Sequence, residues 1–201
     1  MKGLLLKDLY VAVKNLKIYF VLALVFIGAA VADKENIYFL YFPPALGGMI
    51  PVTLLAYDEK SRWTRYSLAL PYSTNQIVSG KYIVGIAASS AASAVSAAIM
   101  LIIGYTAAQA AVFFVTGVSV SCVIPALCLP FSFKLGVEKG RLVYYAVLVL
   151  IAFLGGGIVE NLGFSPITSL ADITTVSAAA AALLYGLSWL ASVRVVKNNN
   201  D

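Results

Sequence analysis

The residues with the clearest capacity for recognition lie between positions 57 and 81, the longest hydrophilic stretch of the chain. There Asp58, Glu59, Lys60, Arg62 and Arg65 stand beside Trp63 and Tyr66. Acidic residues suit the positive N-terminal end of a helix dipole, so Asp58 and Glu59 predict a helix start. Trp63, Tyr66 and Leu70 follow at i, i+3 and i+7, which gives that helix one apolar face until Pro71 ends it. Ser73-Thr74-Asn75-Gln76 then has the spacing of a capping box and predicts a second helix running through Lys81. An aromatic side chain held on a rigid helix is an anchor for a partner's groove. The same aromatics also serve as headgroup anchors at a membrane interface, and the pattern alone leaves both readings open.

Catalytic chemistry has little to work with. The chain contains no histidine, and no acidic or basic residue falls deep inside any of its apolar runs; Glu160 and Asp172 lie at a boundary. Proton- or ion-coupled transport usually needs an ionisable group within the membrane. Intramembrane hydrolysis by a metal or a Ser–His pair loses its ligands and its base. No G-x-x-x-x-G-K-[ST] phosphate loop is present, so energised work would draw on a partner. Cys122 and Cys128 lie six apart within one apolar run, a spacing that keeps their sulfurs apart, and they read as reduced core residues.

The elements that must position these residues are membrane helices. Of the 201 residues 61% are hydrophobic and only 11% charged, with a mean hydropathy of +0.92. Soluble domains are about half apolar and about a quarter charged. The apolar runs 18–32, 37–56, 83–104, 110–133, 142–159 and 173–193 predict six transmembrane helices in an all-α integral membrane protein, since a crossing needs about 20 apolar residues. The first run is short, and a helix reaching back past Lys14 lets Lys14 and Lys17 extend to the interface.

Charge then orients the chain. The formal net charge is +5, but the basic residues flank spans instead of forming a stripe for nucleic acid, which is excluded as a partner. Lys2, Lys7, Lys14, Lys17, Lys60, Arg62, Arg65, Lys81, Lys134, Lys139, Arg141, Arg194 and Lys197 all fall on one side; of the 14 basic residues only Lys34 falls on the other. Positive residues stay in the cytoplasm, so both termini are expected there, with the protein multi-pass in the plasma membrane.

Residues 1–17 place Leu5, Leu9, Ala12 and Leu16 on one helical face and Lys7, Lys14 and Lys17 on another, the pattern of a helix lying in the membrane plane, with a plain start to the first span as the alternative. Ser89, Ser93 and Ser96 form a small polar stripe in the third span, better suited to close helix packing than to a solute path. Pro43, Pro44 and Pro51 in the second span and Pro125 and Pro130 in the fourth predict breaks or kinks. Residues 155–172, from Gly155-Gly156-Gly157 through Glu160 to Pro166, are too apolar for a solvent loop and too broken for a span. They predict an outer re-entrant hairpin, with an interfacial loop as the alternative.

On these residues the chain resembles the permease subunits of type-2 ABC exporters. It is similar in particular to small bacterial permeases of phenol-soluble-modulin, lantibiotic-immunity and bacitracin-type exporters. The topology carries the resemblance over nearly the whole chain. Its most specific part is Asp58-Glu59-Lys60, then Leu68-Ala69-Leu70-Pro71-Tyr72-Ser73, then Ile77-Val78-Ser79-Gly80-Lys81-Tyr82, with Ala69 where the family's turn has serine. The resemblance implies a non-catalytic half-transporter, two copies of which pair as a homodimer, each docking a separate cytoplasmic ABC ATPase that binds ATP and Mg²⁺; no cofactor is implied in this chain. Residues 57–81 would be the coupling segment, its coupling helix mapping onto residues 58–70. Asp58, Glu59, Arg62, Trp63, Arg65 and Tyr66 are the implied ATPase-docking residues. The implied activity is export of an amphipathic peptide, antimicrobial or hydrophobic compound. A membrane scaffold or sensor that recruits a cytoplasmic partner would share these docking features, whereas a membrane-embedded enzyme would need a cluster of catalytic groups that the sequence does not offer.

Overall fold

The apolar runs fold as long helices, and the computed structural model describes residues 2–15, 17–32, 37–63, 73–143, 145–146 and 170–198. Six α-helices are fully delimited: α1 (Lys2–Asn15), α2 (Lys17–Ala32), α3 (Phe42–Lys60), α4 (Thr74–Ile103), α5 (Ala107–Leu135) and α6 (Leu170–Asn198), with a 3₁₀ turn at Ile37–Tyr41 leading into α3. Residues 137–143 are also helical.

Local chemistry explains the ends. The expected capping box at the start of α4 is present: Ser73 Oγ accepts the Gln76 N–H and Gln76 Oε1 accepts the Ser73 N–H, both at 3.3 Å. Thr106 and Gln109 build the same box at the start of α5. Between them Gly104 closes α4 at φ 110°, a left-handed value that glycine adopts without strain. α4 and α5 are thereby joined by a tight turn.

The prolines do not break their helices. Pro43 and Pro44 sit in the first turn of α3, where a missing N–H costs nothing, and Pro51, Pro125 and Pro130 lie within continuous helices. Neighbouring backbones come close at small residues. A Cβ on Gly47 would lie 3.0 Å from the Ala88 carbonyl oxygen, and one on Gly117 3.1 Å from Ser93 Oγ. Ser89, Ser93 and Ser96 are fully buried in this seam, which supports their packing role.

Two apolar clusters hold the ends of the bundle. Val52, Leu55, Val78, Tyr82, Cys128, Leu129 and Val137 meet at the end carrying Lys60, Lys81 and Lys134, covered by Trp189 and Val193 of α6. Ala30, Leu40, Met100, Ala110 and Phe113 meet at the opposite end. At the basic end Tyr82 bonds Ser188 at 2.6 Å and Ser192 at 2.8 Å, and Trp189 donates to Ser79 at 3.0 Å, so α6 is locked to α4 by polar contacts as well.

Among the described residues four helices, Ile37–Lys60, Thr74–Ile103, Ala107–Leu135 and Thr174–Asn198, are long and apolar enough to cross a membrane, and a fifth is reached if α1 and α2, bent by 63°, count as one span. These four correspond to the expected second, third, fourth and sixth spans. The run 18–32 is only the 16-residue α2. The run 142–159 lies outside the described residues beyond position 146, as does the expected hairpin at 155–172 up to position 169.

Candidate functional site

Asp58 and Glu59 do not begin a helix. α3 runs unbroken through them to Lys60, because the apolar run from Phe42 passes into them with no residue to stop it. The stop comes next: Ser61 N–H bonds the Tyr57 carbonyl at 2.9 Å and Arg62 N–H the Glu59 carbonyl at 3.1 Å. Arg62 takes a left-handed φ of 56°, uncommon for a residue with a side chain. The two carboxylates at this helix end are stabilised by partners from elsewhere in the chain.

Asp58 joins a closed ring of four charges. Lys7 Nζ lies 2.7 Å from Asp58 and 3.0 Å from Asp8; Lys81 Nζ lies 2.8 Å from Asp8 and 2.6 Å from Asp58. Two ammonium groups thus alternate with two carboxylates, and the ring is neutral. Its side chains are 1% exposed at Asp8, 2% at Lys81, 10% at Asp58 and 22% at Lys7. Charges this buried persist only when paired and hydrogen-bonded, and each member here touches two opposite charges. The ring fastens α1 to the end of α3 and the start of α4.

Packing brings the members together. Leu4, one turn before Asp8, is buried, and a Cβ on Gly80 would lie 2.9 Å from Leu4 Cδ2, so α1 crosses α4 closely beside Lys81. Lys7 therefore faces inward, apart from Lys14 and Lys17, which are exposed. The apolar face that α1 leaves uncovered is Leu6, Leu9, Tyr10 and Val13. Its i, i+3, i+4, i+7 spacing suits a helix lying on a lipid interface.

Trp63 borders the ring, with Lys7 Nζ 4.6 Å from its ring centroid, in cation–π range. A displacement of Trp63 thus bears directly on α1. Glu59 faces another way: its Oε2 accepts the Val137 N–H at 2.9 Å, capping the helical stretch 137–143. Arg62 is exposed, while Arg65 and Tyr66 lie outside the described residues. Of the six residues singled out in the sequence, Asp58 and Trp63 are thus brought to one ring, Glu59 to a neighbouring helix start. Asp8, Lys7 and Lys81 are the members that sequence reasoning missed. The available signal was Asp8 itself, a lone acid one turn from an apolar Leu4 in a lysine-rich segment. Among the described residues no group of three or more His, Cys, Asp or Glu is gathered to hold a metal ion.

The charged ring thus pins α1 to the ends of two long apolar helices, α3 and α4. Residues 3–197 match the family described as ABC-2 family transporter protein. The chain belongs to that family. As an ABC-2 permease it is a membrane component of an ABC transporter, which implies an ABC ATPase as partner and the plasma membrane as its place. No curated protein matches the sequence.

Proposed function

We propose that this ABC-2 permease is the membrane half of an ATP-driven exporter. Two copies pair, each docks one cytoplasmic ABC ATPase, and the pair moves an amphipathic peptide, antimicrobial or hydrophobic compound outward, in the manner of phenol-soluble-modulin and lantibiotic-immunity exporters. Both termini lie in the cytoplasm. Six spans are proposed, with the apolar run 142–159 as the fifth and the short run 18–32, preceded by an interfacial α1, as the first.

The observation that carries this reading is the ion-pair ring beside Trp63 in a chain of this family. Force arriving on residues 57–81 has a stiff path into α1, α3 and α4, because none of the four charges can leave the ring without stranding its neighbours. Arg62, Trp63, Arg65 and Tyr66 contact the ATPase, and Asp58 and Glu59 set the base on which that segment stands. ATP and Mg²⁺ bind the ATPase; their binding favours one of two permease arrangements by differential contact energy, as any ligand-driven shift requires.

The test is co-purification of the ATPase with Trp63→Ala and Arg65→Glu permeases. Both variants are expected to insert normally and to lose the ATPase. Unchanged co-purification and ATP turnover in both would remove the docking assignment. ATPase retention with no growth protection against any amphipathic compound would favour a scaffold.

A further inference from the structure

A second charged feature lies deeper than the ring and does not use it. Arg141, within the helical stretch 137–143, reaches a cleft of about 190 Å³ lined by Tyr19 of α2, Met49, Val52 and Thr53 of α3, and Tyr145. Arg141 Nη2 donates to Thr53 Oγ1 at 3.4 Å. Thr53 Oγ1 also lies 2.8 Å from Tyr19 OH and donates its own proton to the Met49 carbonyl at 3.1 Å. Among the described residues no carboxylate pairs with Arg141.

An arginine carries five N–H donors, and one long bond to a hydroxyl leaves most of them to be met. Thr53 precedes Asp58 by five residues, so the cleft sits about 7.5 Å further along α3 at 1.5 Å per residue, toward the bilayer interior. At that depth a cation without an acid needs an anion supplied by its surroundings. The surroundings are apolar and lipid-exposed: Ile18, Val21 and Leu22 of α2 and Leu142 beside Arg141 are all exposed. A freely soluble anion gains nothing from those side chains, whereas an amphiphile lays its acyl chains along them.

We infer that the Arg141 cleft binds the phosphodiester head of an anionic phospholipid from the leaflet at the basic end. The guanidinium fork takes the phosphate oxygens, the Tyr19 and Tyr145 hydroxyls border the head, and the acyl chains lie against α2. The site does not depend on the ATPase partner, so it stands or falls apart from the export reading.

The test uses the full chain, purified in mild detergent, exchanged into phosphatidylglycerol or phosphatidylcholine micelles and weighed intact with its retained lipid. The wild type is expected to keep phosphatidylglycerol in preference to phosphatidylcholine. Arg141→Gln is expected to lose about tenfold in that retention, the fold-change for one hydrogen bond to a charged group. Tyr19→Phe, which removes one oxygen and keeps the packing, should lose a smaller part, while Lys134→Gln, an exposed cation of the same end, should lose none. Inorganic phosphate at millimolar concentration should not compete. Equal retention of the two lipids, equal loss in Lys134→Gln, or displacement by inorganic phosphate would each overturn the assignment. So would Arg141→Gln retaining phosphatidylglycerol as the wild type does, the result expected if a second permease copy fills the cleft.

Discussion

Glu59 Oε2 accepts the Val137 backbone N–H at 2.9 Å, so a carboxylate from the last turn of α3 caps a helix that starts 78 positions later. Gly136, just before that helix, has φ 83°, and a Cβ there would lie 2.8 Å from Glu59 Oε1. Carboxylate and glycine therefore fit together as one joint. Glu59→Ala is expected to lower stability by about 0.5–2 kcal/mol, the range for losing an N-terminal cap. Glu59→Gln, which still accepts the bond, should fall by less. Thermal unfolding in detergent checks both, and equal effects of Ala and Gln would mean the hydrogen bond contributes nothing.

The ring of Lys7, Asp8, Asp58 and Lys81 predicts a pattern that separate pairs would not produce. Lys81→Met leaves two buried carboxylates with one lysine and is expected to cost about 3–5 kcal/mol. Adding Asp8→Asn to it removes one charge of each sign and leaves the Lys7–Asp58 pair at 2.7 Å. The double variant should then be more stable than the sum of its parts, by a coupling energy of about 0.5–3 kcal/mol. Additive losses in tryptophan-monitored unfolding would show the four charges acting independently.

Coupling through Trp63 can be separated from docking. Lys7→Gln removes the cation held 4.6 Å from the Trp63 ring centroid but leaves the exposed Arg62 in place. The variant is expected to retain the ATPase while losing most substrate stimulation of ATP turnover. Loss of the ATPase itself from Lys7→Gln would mean that Lys7 holds the docking surface in shape and transmits nothing.

What could be read from the sequence was whatever local periodicity decides. Ser73 and Gln76 are three residues apart, and their box formed as expected; Ser89, Ser93 and Ser96 share one face of α4 and are buried together. The ring escaped because closing it takes the pairs Lys7–Asp58 and Lys81–Asp8, 51 and 73 positions apart, and no local pattern registers such a pairing. The start expected at Asp58 failed for a related reason. Acidic side chains do favour a helix N-terminus, but the terminus Glu59 serves belongs to another helix. The breaks expected at the prolines are absent because the apolar seam they pack into is continuous: Pro44, Pro51 and Pro125 are fully buried, and tertiary packing outweighs the lost backbone bond.

Helix approach predicts opposite outcomes for two glycines. A Cβ on Gly48 would press into the Ser121 carbonyl, whereas one on Gly28 meets nothing within 4 Å. Gly48→Ala should separate α3 from α5 and cost about 1–3 kcal/mol, as overpacking does. Gly28→Ala should leave stability unchanged or raise it by up to about 1 kcal/mol through helix propensity. Unfolding temperatures of the two variants, measured side by side, decide it, and a Gly48→Ala permease as stable as wild type would contradict the close α3–α5 crossing.

Sidedness is the last expectation, and the turns after α3 and before α5 test it. Ser61, in the turn after α3, and Thr106, before α5, are both exposed, and the 30-residue α4 separates their ends. At 1.5 Å per residue α4 is about 45 Å long, more than the hydrocarbon core, so the two positions are expected to face opposite compartments. In a chain with Cys122 and Cys128 replaced by serine, an impermeant maleimide added to intact cells should label Thr106→Cys and spare Ser61→Cys until the membrane is opened. Labelling of Ser61→Cys from outside would put the Trp63 segment beyond the reach of any cytoplasmic ATPase. The ring of charges behind it would then be a joint of the fold without a force to carry.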